Sequence, residues 1–541
     1  MKREKKKRRG LLILLMAGSL AALGLSGCSE KSAETTEKEQ TKESQGSSSK
    51  ATEEEIAEAA SIEIEDLKEI TDWEKMADIQ LGDQIEIDGK GVEEEDGVLT
   101  ITEGGEYVFS GSLENGRILV DTEEDVKITL NGVTISSEDG PAIWGENSNS
   151  IYVSTKKGTE NVLSDGTEYE DAKATLFSND DLILTGEGTL KITGNYKHAI
   201  CSDDMIYIES GTIQVVSAVK DGFHANDGIC VDGGSIEVKT AHDAMESEGA
   251  FVVGGGELVL TAEDDGLATL GNMDINGGTI QILSCEEGLE AKNALIVNDG
   301  TIEITANDDG INAGNDLQIC GGKIFTDVSQ GDGLDSNGTL TISGGLTVAL
   351  GSQQPEGGID CDEREIVITG GTLIACGGTN SAPSESESSR VSVLLGSAQA
   401  GDSIGILDED GNTVFAFLAE KDYANMLLSR KTIESGKSYT IYTGGTIEGD
   451  SPFHGYYSDG VYSGGEESQS FTVESMVVSA GGTSDSGMPG GGGRGDGKMQ
   501  KPDGEEPFQE GEMPEGREKP EGGQMNGEEP PESQSAESDT M

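Results

Sequence analysis

The sequence is poor in aromatic and basic side chains. Aromatics make up 4% of the 541 residues, only two are tryptophan, and 36 Lys and Arg stand against 103 Asp and Glu. The formal net charge of -67 repels nucleic acid and anionic lipid and attracts cations. We therefore expect no nucleic-acid partner, and the low aromatic content argues against a wide globular core.

Histidine and cysteine are also scarce. With four His in the chain, no Ser-His-Asp arrangement can be assembled, and acids are too common to single out a catalytic pair, so no catalytic residue is predicted. Beyond Cys28 there are six cysteines without a CxxC pair or any zinc or haem spacing. Export would permit disulfides, but we expect these to be small buried residues with free thiols: Cys201, Cys230, Cys285, Cys320, Cys361 and Cys376.

The N-terminus resembles an export signal. Residues 2–9 are basic, residues 11–23 are apolar, and Leu25-Ser26-Gly27-Cys28 resembles a bacterial lipobox with Cys28 as the lipid-modified residue. A plain secretory signal or a short membrane anchor is the alternative, although the apolar run is short for a spanning helix. We expect residues 1–27 to be a signal peptide and the mature protein to be lipid-anchored on the extracellular face of the cell membrane.

A glycine followed by a short alternating strand recurs at a nearly fixed interval. The intervals are 22 or 23 residues, the period is rich in β-branched side chains, and helical repeats are longer and richer in Leu and Ala. One period therefore predicts one coil of an all-β, right-handed parallel β-helix, the handedness following from the crossover rule. The repeat glycines are Gly188, Gly211, Gly234, Gly256, Gly278, Gly300, Gly322 and Gly345.

Composition divides the rest of the chain. Residues 28–77 are a polar tether with a possible short helix, residues 78–390 the β-helix and residues 391–480 a β-rich cap that covers the open edge of the stack. Residues 481–541 are rich in Gly, Pro and Glu, which predicts a disordered acidic tail. We expect a monomer.

A five-residue motif follows each repeat glycine by about ten residues. Its third position is always apolar and predicts an inward side chain, the small fifth shares that face, and the fourth points outward. We expect the acid at the first position to lie in a turn and to face solvent. The motifs begin at Asp221, Asp243, Asp265, Glu287, Asp309, Asp332 and Gly357.

Stacked coils would align these acids in a row. Asp-Gly can simply form a turn, which explains one coil but not a column. At a coil spacing of about 4.8 Å, neighbouring carboxylates repel by about 1 kcal/mol even in water, so bound cations or retained protons must relieve the row. Hard oxygen donors without His or Cys favour calcium, which accepts six to eight of them in loose geometry. The predicted metal ligands are Asp221, Asp243, Glu246, Asp264, Asp265, Glu287, Glu290, Asp308, Asp309, Asn312, Asp332 and Asp335.

At this point the sequence resembles a known family. The combination of Gly300-Thr301-Ile302 with Asp308-Asp309-Gly310-Ile311 is similar to bacterial extracellular carbohydrate-binding β-helix proteins. So are Thr193-Gly194-Asn195-Tyr196 and the terminal segments 392–396 and 439–444. The resemblance covers about residues 85–475 and implies a pectate-lyase-like fold, calcium on the coils and binding of plant polysaccharides, including cellulose and polygalacturonate. The chain departs from the pattern at His198, Glu287 and Gly357.

Three functions follow from these patterns. The first is non-catalytic, calcium-dependent binding of an acidic or plant cell-wall polysaccharide, with Trp144, Phe177 and His224 as a small stacking patch in the outward column. The second is a calcium-dependent polysaccharide lyase, for which Lys220 or Lys292 would be the base. The third is a structural or adhesive envelope protein without a glycan ligand. We favour the first, and expect the protein not to be an enzyme.

Overall fold

The computed structural model describes residues 70, 72–362 and 365–483. Within them the chain is all-β, without a helix, so the described residues contain no helix that could span a membrane. The expected signal peptide, Cys28, nearly all of the tether and most of the tail lie outside these residues. The first strand begins at Lys75, three residues before the boundary expected at residue 78.

The strands that open the fold are β1 (Lys75–Leu81), β2 (Glu86–Gly89), β3 (Val92–Glu95), β4 (Val98–Ile101), β5 (Gly105–Glu114), β6 (Arg117–Asp121) and β7 (Val126–Ser136). The coil strands are β8 (Ile143–Asn147), β9 (Ser150–Thr155), β10 (Glu160–Ser164), β11 (Ala174–Ser178), β12 (Asp181–Gly186), β13 (Thr189–Gly194), β14 (His198–Ser202), β15 (Met205–Ile208), β16 (Thr212–Ala218), β17 (Phe223–Ala225), β18 (Gly228–Val231), β19 (Ser235–Lys239), β20 (Met245–Ser247), β21 (Ala250–Val253), β22 (Glu257–Thr261), β23 (Leu267–Thr269), β24 (Met273–Ile275), β25 (Thr279–Ser284), β26 (Leu289–Ala291), β27 (Ala294–Val297), β28 (Thr301–Ala306), β29 (Ile311–Ala313), β30 (Asp316–Ile319), β31 (Lys323–Val328), β32 (Leu334–Ser336), β33 (Thr339–Ile342), β34 (Leu346–Leu350), β35 (Glu365–Ile368) and β36 (Thr372–Gly377). The C-terminal strands are β37 (Ser392–Leu395), β38 (Ser403–Asp408), β39 (Thr413–Leu418), β40 (Asn425–Ser429), β41 (Ser438–Thr443), β42 (Thr446–Glu448), β43 (Val461–Ser463), β44 (Glu466–Thr472) and β45 (Val477–Ala480).

Each regular coil contributes one strand to each of three faces. Face 1 is a sheet of twelve strands, β3-β4-β6-β8-β11-β14-β17-β20-β23-β26-β29-β32. Face 2 runs from β9 through every third strand to β33 and ends at β35, and face 3 runs likewise from β10 to β34 and ends at β36. The coil-to-coil pairings are parallel, as in β16 with β19 and β17 with β20. The predicted β-helix is therefore confirmed, and it is about twelve turns long.

The strands pair in the register that the repeat predicted. Along face 3, Ile213 lies opposite Ile236, and the pairing continues through Leu258, Ile280 and Ile302. Every side chain of this column is at most 3% exposed. The third position of the motif forms an equally buried column on face 1, from Phe223 to Leu334. The core is therefore a set of stacked aliphatic columns.

Antiparallel pairing closes both ends of the stack. At the N-terminal end β1 pairs antiparallel with β2 and β3 with β4. At the other end β36 pairs antiparallel with β40, beside a four-stranded sheet in the order β39-β38-β41-β44. A second core that includes Phe415 and Phe417 lies under this C-terminal region. The non-repeating end thus covers the open edge of face 3, as expected.

The cysteines agree with the sequence prediction except at one position. All six are free, and five are buried. Cys320 is exposed because it follows β30 at the outer turn of its coil.

A residue of the inward column should contribute far more to the stability of the fold than an outward neighbour on the same strand. We expect Ile280→Ala to lower the free energy of unfolding by about 2–5 kcal/mol, since it empties a site at the centre of the stack. Leu283→Ala on the same strand is the control. Leu283 is 50% exposed, so its truncation should change stability by less than about 0.5 kcal/mol. Urea unfolding measures both, and equal losses would contradict the assigned inward column.

Candidate functional site

The acids at the first motif position form a continuous row along one edge of the β-helix. The row is fixed by backbone hydrogen bonds from the following residue to the carbonyl of the next acid. The N–H of Gly222 donates to Asp243 at 3.0 Å, that of Gly266 to Glu287 at 2.9 Å and that of Gly310 to Asp332 at 2.9 Å. We call Asp243, Asp265, Glu287, Asp309 and Asp332 the acidic ladder.

The ladder carboxylates point along the stack. Oδ1 of Asp243 accepts the backbone N–H of Asp265 at 3.0 Å, and Oδ1 of Asp265 accepts that of Glu287 at 3.1 Å. Oδ1 of Asp309 accepts the N–H of Asp332 at 2.7 Å. Asp243, Asp265 and Asp309 are therefore each held by the next rung. Oδ2 of Asp243 also lies 3.1 Å from Nδ1 of His242.

The expectation that these acids face solvent is wrong for Asp221, Asp243 and Asp332, whereas Asp265, Glu287 and Asp309 are half-buried. Asp243 is 4% exposed, Asp332 6% and Asp221, one coil before the ladder, is fully buried. The glycine at the second position is not there for a left-handed turn. A Cβ on Gly266 would lie 2.5 Å from the carbonyl oxygen of Gly288 and 2.5 Å from Cδ1 of Ile282. The glycine thus permits close packing between coils, and this packing shields the acid at the first position from solvent. A turn motif alone does not reveal such packing.

Burial opposes the ionisation of Asp265, Asp309 and Asp332. Together with the charges of neighbouring acids, it raises the pKa of Asp265 and of Asp309 to about 8 and that of Asp332 to about 9. Burial also raises the pKa of Glu287. Without a cation, the row therefore relieves its repulsion by keeping protons.

Oxygen atoms converge at three places on this edge. One potential ligand atom from each of Asp243, Asp264 and Asp265 lies within 4.8 Å of the others, and the same holds for Asp265 with Glu287 and Glu290. A third group joins Asp332 and Asp335 to Asp360, which belongs to the coil where Gly357 replaces the ladder acid. The structure thus brings most of the predicted ligands together and adds Asp360. Asp308 and Asp309 lie on the same edge, outside these three groups.

The donor set fits a hard divalent cation. All donors in the three groups are carboxylate oxygens, which calcium prefers. Beside the second group, Nδ2 of Asn312 donates to Glu287 at 3.2 Å, while its buried Oδ1 has no hydrogen-bond partner. An orphaned acceptor next to three carboxylates is the arrangement that a cation would complete.

The sequence analysis missed a histidine cluster at the N-terminal end of this edge. Nδ1 of His242 lies 2.7 Å from Oδ1 of Asp221, and Nδ1 of His198 and of His224 lie 2.9 and 3.2 Å from its Oδ2. Burial acts to raise the pKa of Asp221, but the contacts with the three histidines hold it well below its usual range. Glu246 contacts His224 at 3.1 Å and so belongs to this cluster. The signal was available, because three of the four His fall in three successive coils.

The predicted stacking patch is not available to a ligand. Trp144, Phe177 and His224 do share one outward column, with Cys201 between the last two. However, Phe177 is 2% exposed, packed with Tyr169 and Ala172 of the connection between β10 and β11. His224 is engaged with acids and stacks on His198. The extra residues of that connection interrupt the repeat. The periodic pattern therefore could not show that they cover Phe177.

Comparison with known proteins identifies the family of this chain. A family model described as "Carbohydrate-binding domain-containing protein" matches residues 95–333 and 284–475. The chain belongs to this family.

A curated carbohydrate-binding domain-containing protein of Acetivibrio thermocellus is 32% identical over 123 residues, which cover 21% of this chain and 42% of that relative. A solved structure titled "polysaccharide lyase-like protein from C. thermocellum, Gadolinium derivative" is 24% identical. It covers 49% of this chain and 96% of its own, with a TM-score of 0.35. The match to the curated relative thus spans less than half of that protein.

The protonated ladder predicts a pH dependence of stability in chelator. The folded-state pKa values of Asp265, Asp309 and Asp332 lie above the unfolded value of about 4. Their contribution to stability is therefore complete below about pH 4 and is lost as pH rises through 8 to 9. The raised pKa values of His224 and His242, about 9 and about 10, act in the same direction.

We expect the melting temperature in EGTA to fall steadily between pH 5 and pH 9, and to fall less with saturating calcium, which replaces the protons. The double variant Asp265→Asn and Asp309→Asn should flatten the EGTA curve. A melting temperature in EGTA that is independent of pH would contradict the buried, protonated ladder.

Proposed function

We propose that this protein is a non-catalytic, calcium-dependent binder of acidic extracellular polysaccharide, held at the cell surface by a lipid on Cys28. Membership of a carbohydrate-binding family supports the ligand class. The observation that carries the mechanism is the repetition of carboxylate groups along one edge, from Asp243 to Asp360. Calcium on these groups would join protein carboxylates to the carboxylates of a uronic acid chain.

Coordination chemistry explains why a polyanion could bind a protein of net charge -67. Calcium accepts six to eight oxygen ligands in loose geometry, so three protein carboxylates leave places for ligand oxygens. The imidazoles around Asp221 do not fit this preference, and we therefore place the calcium sites from Asp243 onward. An extended glycan could contact several sites at once, and linked contacts raise the overall affinity.

Cellulose or another neutral glycan fits less well. Such ligands are bound by exposed aromatic rings, and both tryptophans are engaged. Trp73 packs edge-on against Tyr152 with ring centroids 5.1 Å apart. Trp144 packs against the cluster that contains Phe177 and Tyr169. The acidic edge is therefore the surface best suited to a glycan.

Binding to pectate gel should require calcium and the ladder. We expect the protein to sediment with pectate gel in calcium and to be released by EGTA, while it binds insoluble cellulose more weakly. Asp265→Asn with Asp309→Asn should weaken pectate binding by about tenfold or more, because isosteric amides remove charge from two rungs without removing their Oδ1 acceptors.

The matched control is Asp410→Asn with Asp450→Asn, which removes the same charge from exposed residues outside the ladder. This pair should bind as the wild type does. Binding to cellulose alone, insensitive to EGTA, would refute the bridging mechanism. If calcium stabilises the fold but no glycan binds, the structural envelope role is the better explanation.

One observation keeps the lyase alternative open to test. Nζ of Lys292 contacts Glu290, so a basic side chain lies beside the second carboxylate group. That contact already engages Nζ of Lys292, however, whereas a proton-abstracting base must lie within hydrogen-bond reach of the substrate. Lys220, the other lysine considered, is exposed.

We expect no unsaturated uronate to be released from polygalacturonate in calcium, as followed by ultraviolet absorbance with an authentic pectate lyase as the positive control. Product formation that Lys292→Ala abolishes would instead make the protein an enzyme.

A further inference from the structure

Three histidines converge on one buried carboxylate at the N-terminal end of the acidic edge. Their Nδ1 atoms lie 2.7 to 3.2 Å from the oxygens of Asp221, His242 on Oδ1 and both others on Oδ2. One nitrogen each from His198 and His224 and one oxygen of Asp221 lie within 4.8 Å of one another, and so do the corresponding atoms of Asp221, His242 and Asp243. His198 and His224 thus direct donors to one oxygen of Asp221 and His242 to the other, so the two groups share this carboxylate.

The convergence involves three separate columns of the solenoid. His198 occupies the first motif position, which holds an acid in the six following coils. His224 occupies the outward fourth position, opposite Glu246 of the next coil. His242 precedes the first position, where the next coil has Asp264. The stacking of coils needs none of these imidazoles, since other residue types occupy the same positions elsewhere.

The site is buried and incompletely satisfied. Asp221 is fully buried and His198 is 4% exposed. The rings of His198 and His224 stack with centroids 4.6 Å apart, so both are fixed in direction. Nδ1 of His198 is close to Asp221 but makes no hydrogen bond with it. A buried nitrogen that lies beside a carboxylate without a hydrogen bond to it calls for another partner.

We propose that His198, His224, His242 and Asp221 form a binding site for a borderline divalent transition metal of the zinc class. Three imidazole nitrogens and one carboxylate oxygen are a donor set suited to tetrahedral Zn²⁺, and they are poorly suited to calcium, which prefers oxygen. Glu246, Asp243 and Asp264 lie within 3.1 to 3.3 Å of a ring nitrogen of His224 or His242 and supply surrounding negative charge.

This site is separate in chemistry from the calcium ladder. Its carboxylate, Asp221, lies one coil before Asp243, three of its four donors are nitrogen, and it does not depend on whether a glycan binds. The two sites meet where Nδ1 of His242 lies 3.1 Å from Oδ2 of Asp243. The two metals would be discriminated by ligand type, which is how proteins select among divalent ions.

The test is a titration of Zn²⁺ into the full chain, labelled with isotopes at histidine, in excess calcium. The chain has four histidines, so the imidazole resonances can be counted directly. We expect a single zinc to shift three of them and to leave His454 in place, because His454 lies against Phe325 in the C-terminal region. This readout uses the unaltered protein and so does not depend on how a variant folds.

Variants then locate the site. His242→Ala, whose side chain is the most exposed of the three at 29%, should weaken zinc binding by roughly tenfold or more, and His454→Ala should not change it. Asp309→Asn on the ladder should leave zinc affinity unaltered. Zinc that shifts all four histidines or none, that is displaced by calcium, or that binds His242→Ala as tightly as wild type would overturn the proposal.

Discussion

The parallel hydrogen-bond ladder between successive coils is the constraint on which the rest of this structure depends. Once β16 pairs with β19 and β17 with β20, every position of the repeat lies directly above its equivalent one coil away. Aliphatic positions then form the core column from Ile213 to Ile324. The same alignment stacks Asp243, Asp265 and Glu287, although like charges in register are unfavourable.

The repulsion between these aligned carboxylates determines how the acidic edge binds protons and cations. Close packing at Gly266 removes solvent from the neighbouring carboxylates, and burial then raises the pKa of Asp265. A buried acid in a row of acids can bind a proton or share a cation. At the N-terminal end of the edge, imidazoles surround Asp221 instead, and its pKa moves in the opposite direction. One architectural feature therefore produces two electrostatic environments within a few coils.

The structural features that repeat with each coil were predictable from the sequence, and the features that occur only once were not. The solenoid, its inward columns and the row of acids all follow from spacings of 22 or 23 residues, because a column in space is a period in sequence. The burial of Asp332 could not be predicted, since Asp-Gly indicates a turn whether or not a neighbouring coil covers it. Phe177 is hidden by Tyr169, which lies in extra residues that break the period. The convergence of the histidines was missed because each occupies a different column, and only the fold brings His198 and His242 to the same carboxylate.

The antiparallel closures at β1 with β2 and at β36 with β40 have a consequence for how this chain can change. Between these closures, the length of the acidic row equals the number of successive coils that carry the motif acid. The row can grow or shrink only by whole coils. A deletion of one coil length keeps every later column in phase, whereas a deletion of one residue within a strand would turn the following side chains to the wrong face. Insertions of other lengths must therefore fall between strands, as they do between β10 and β11.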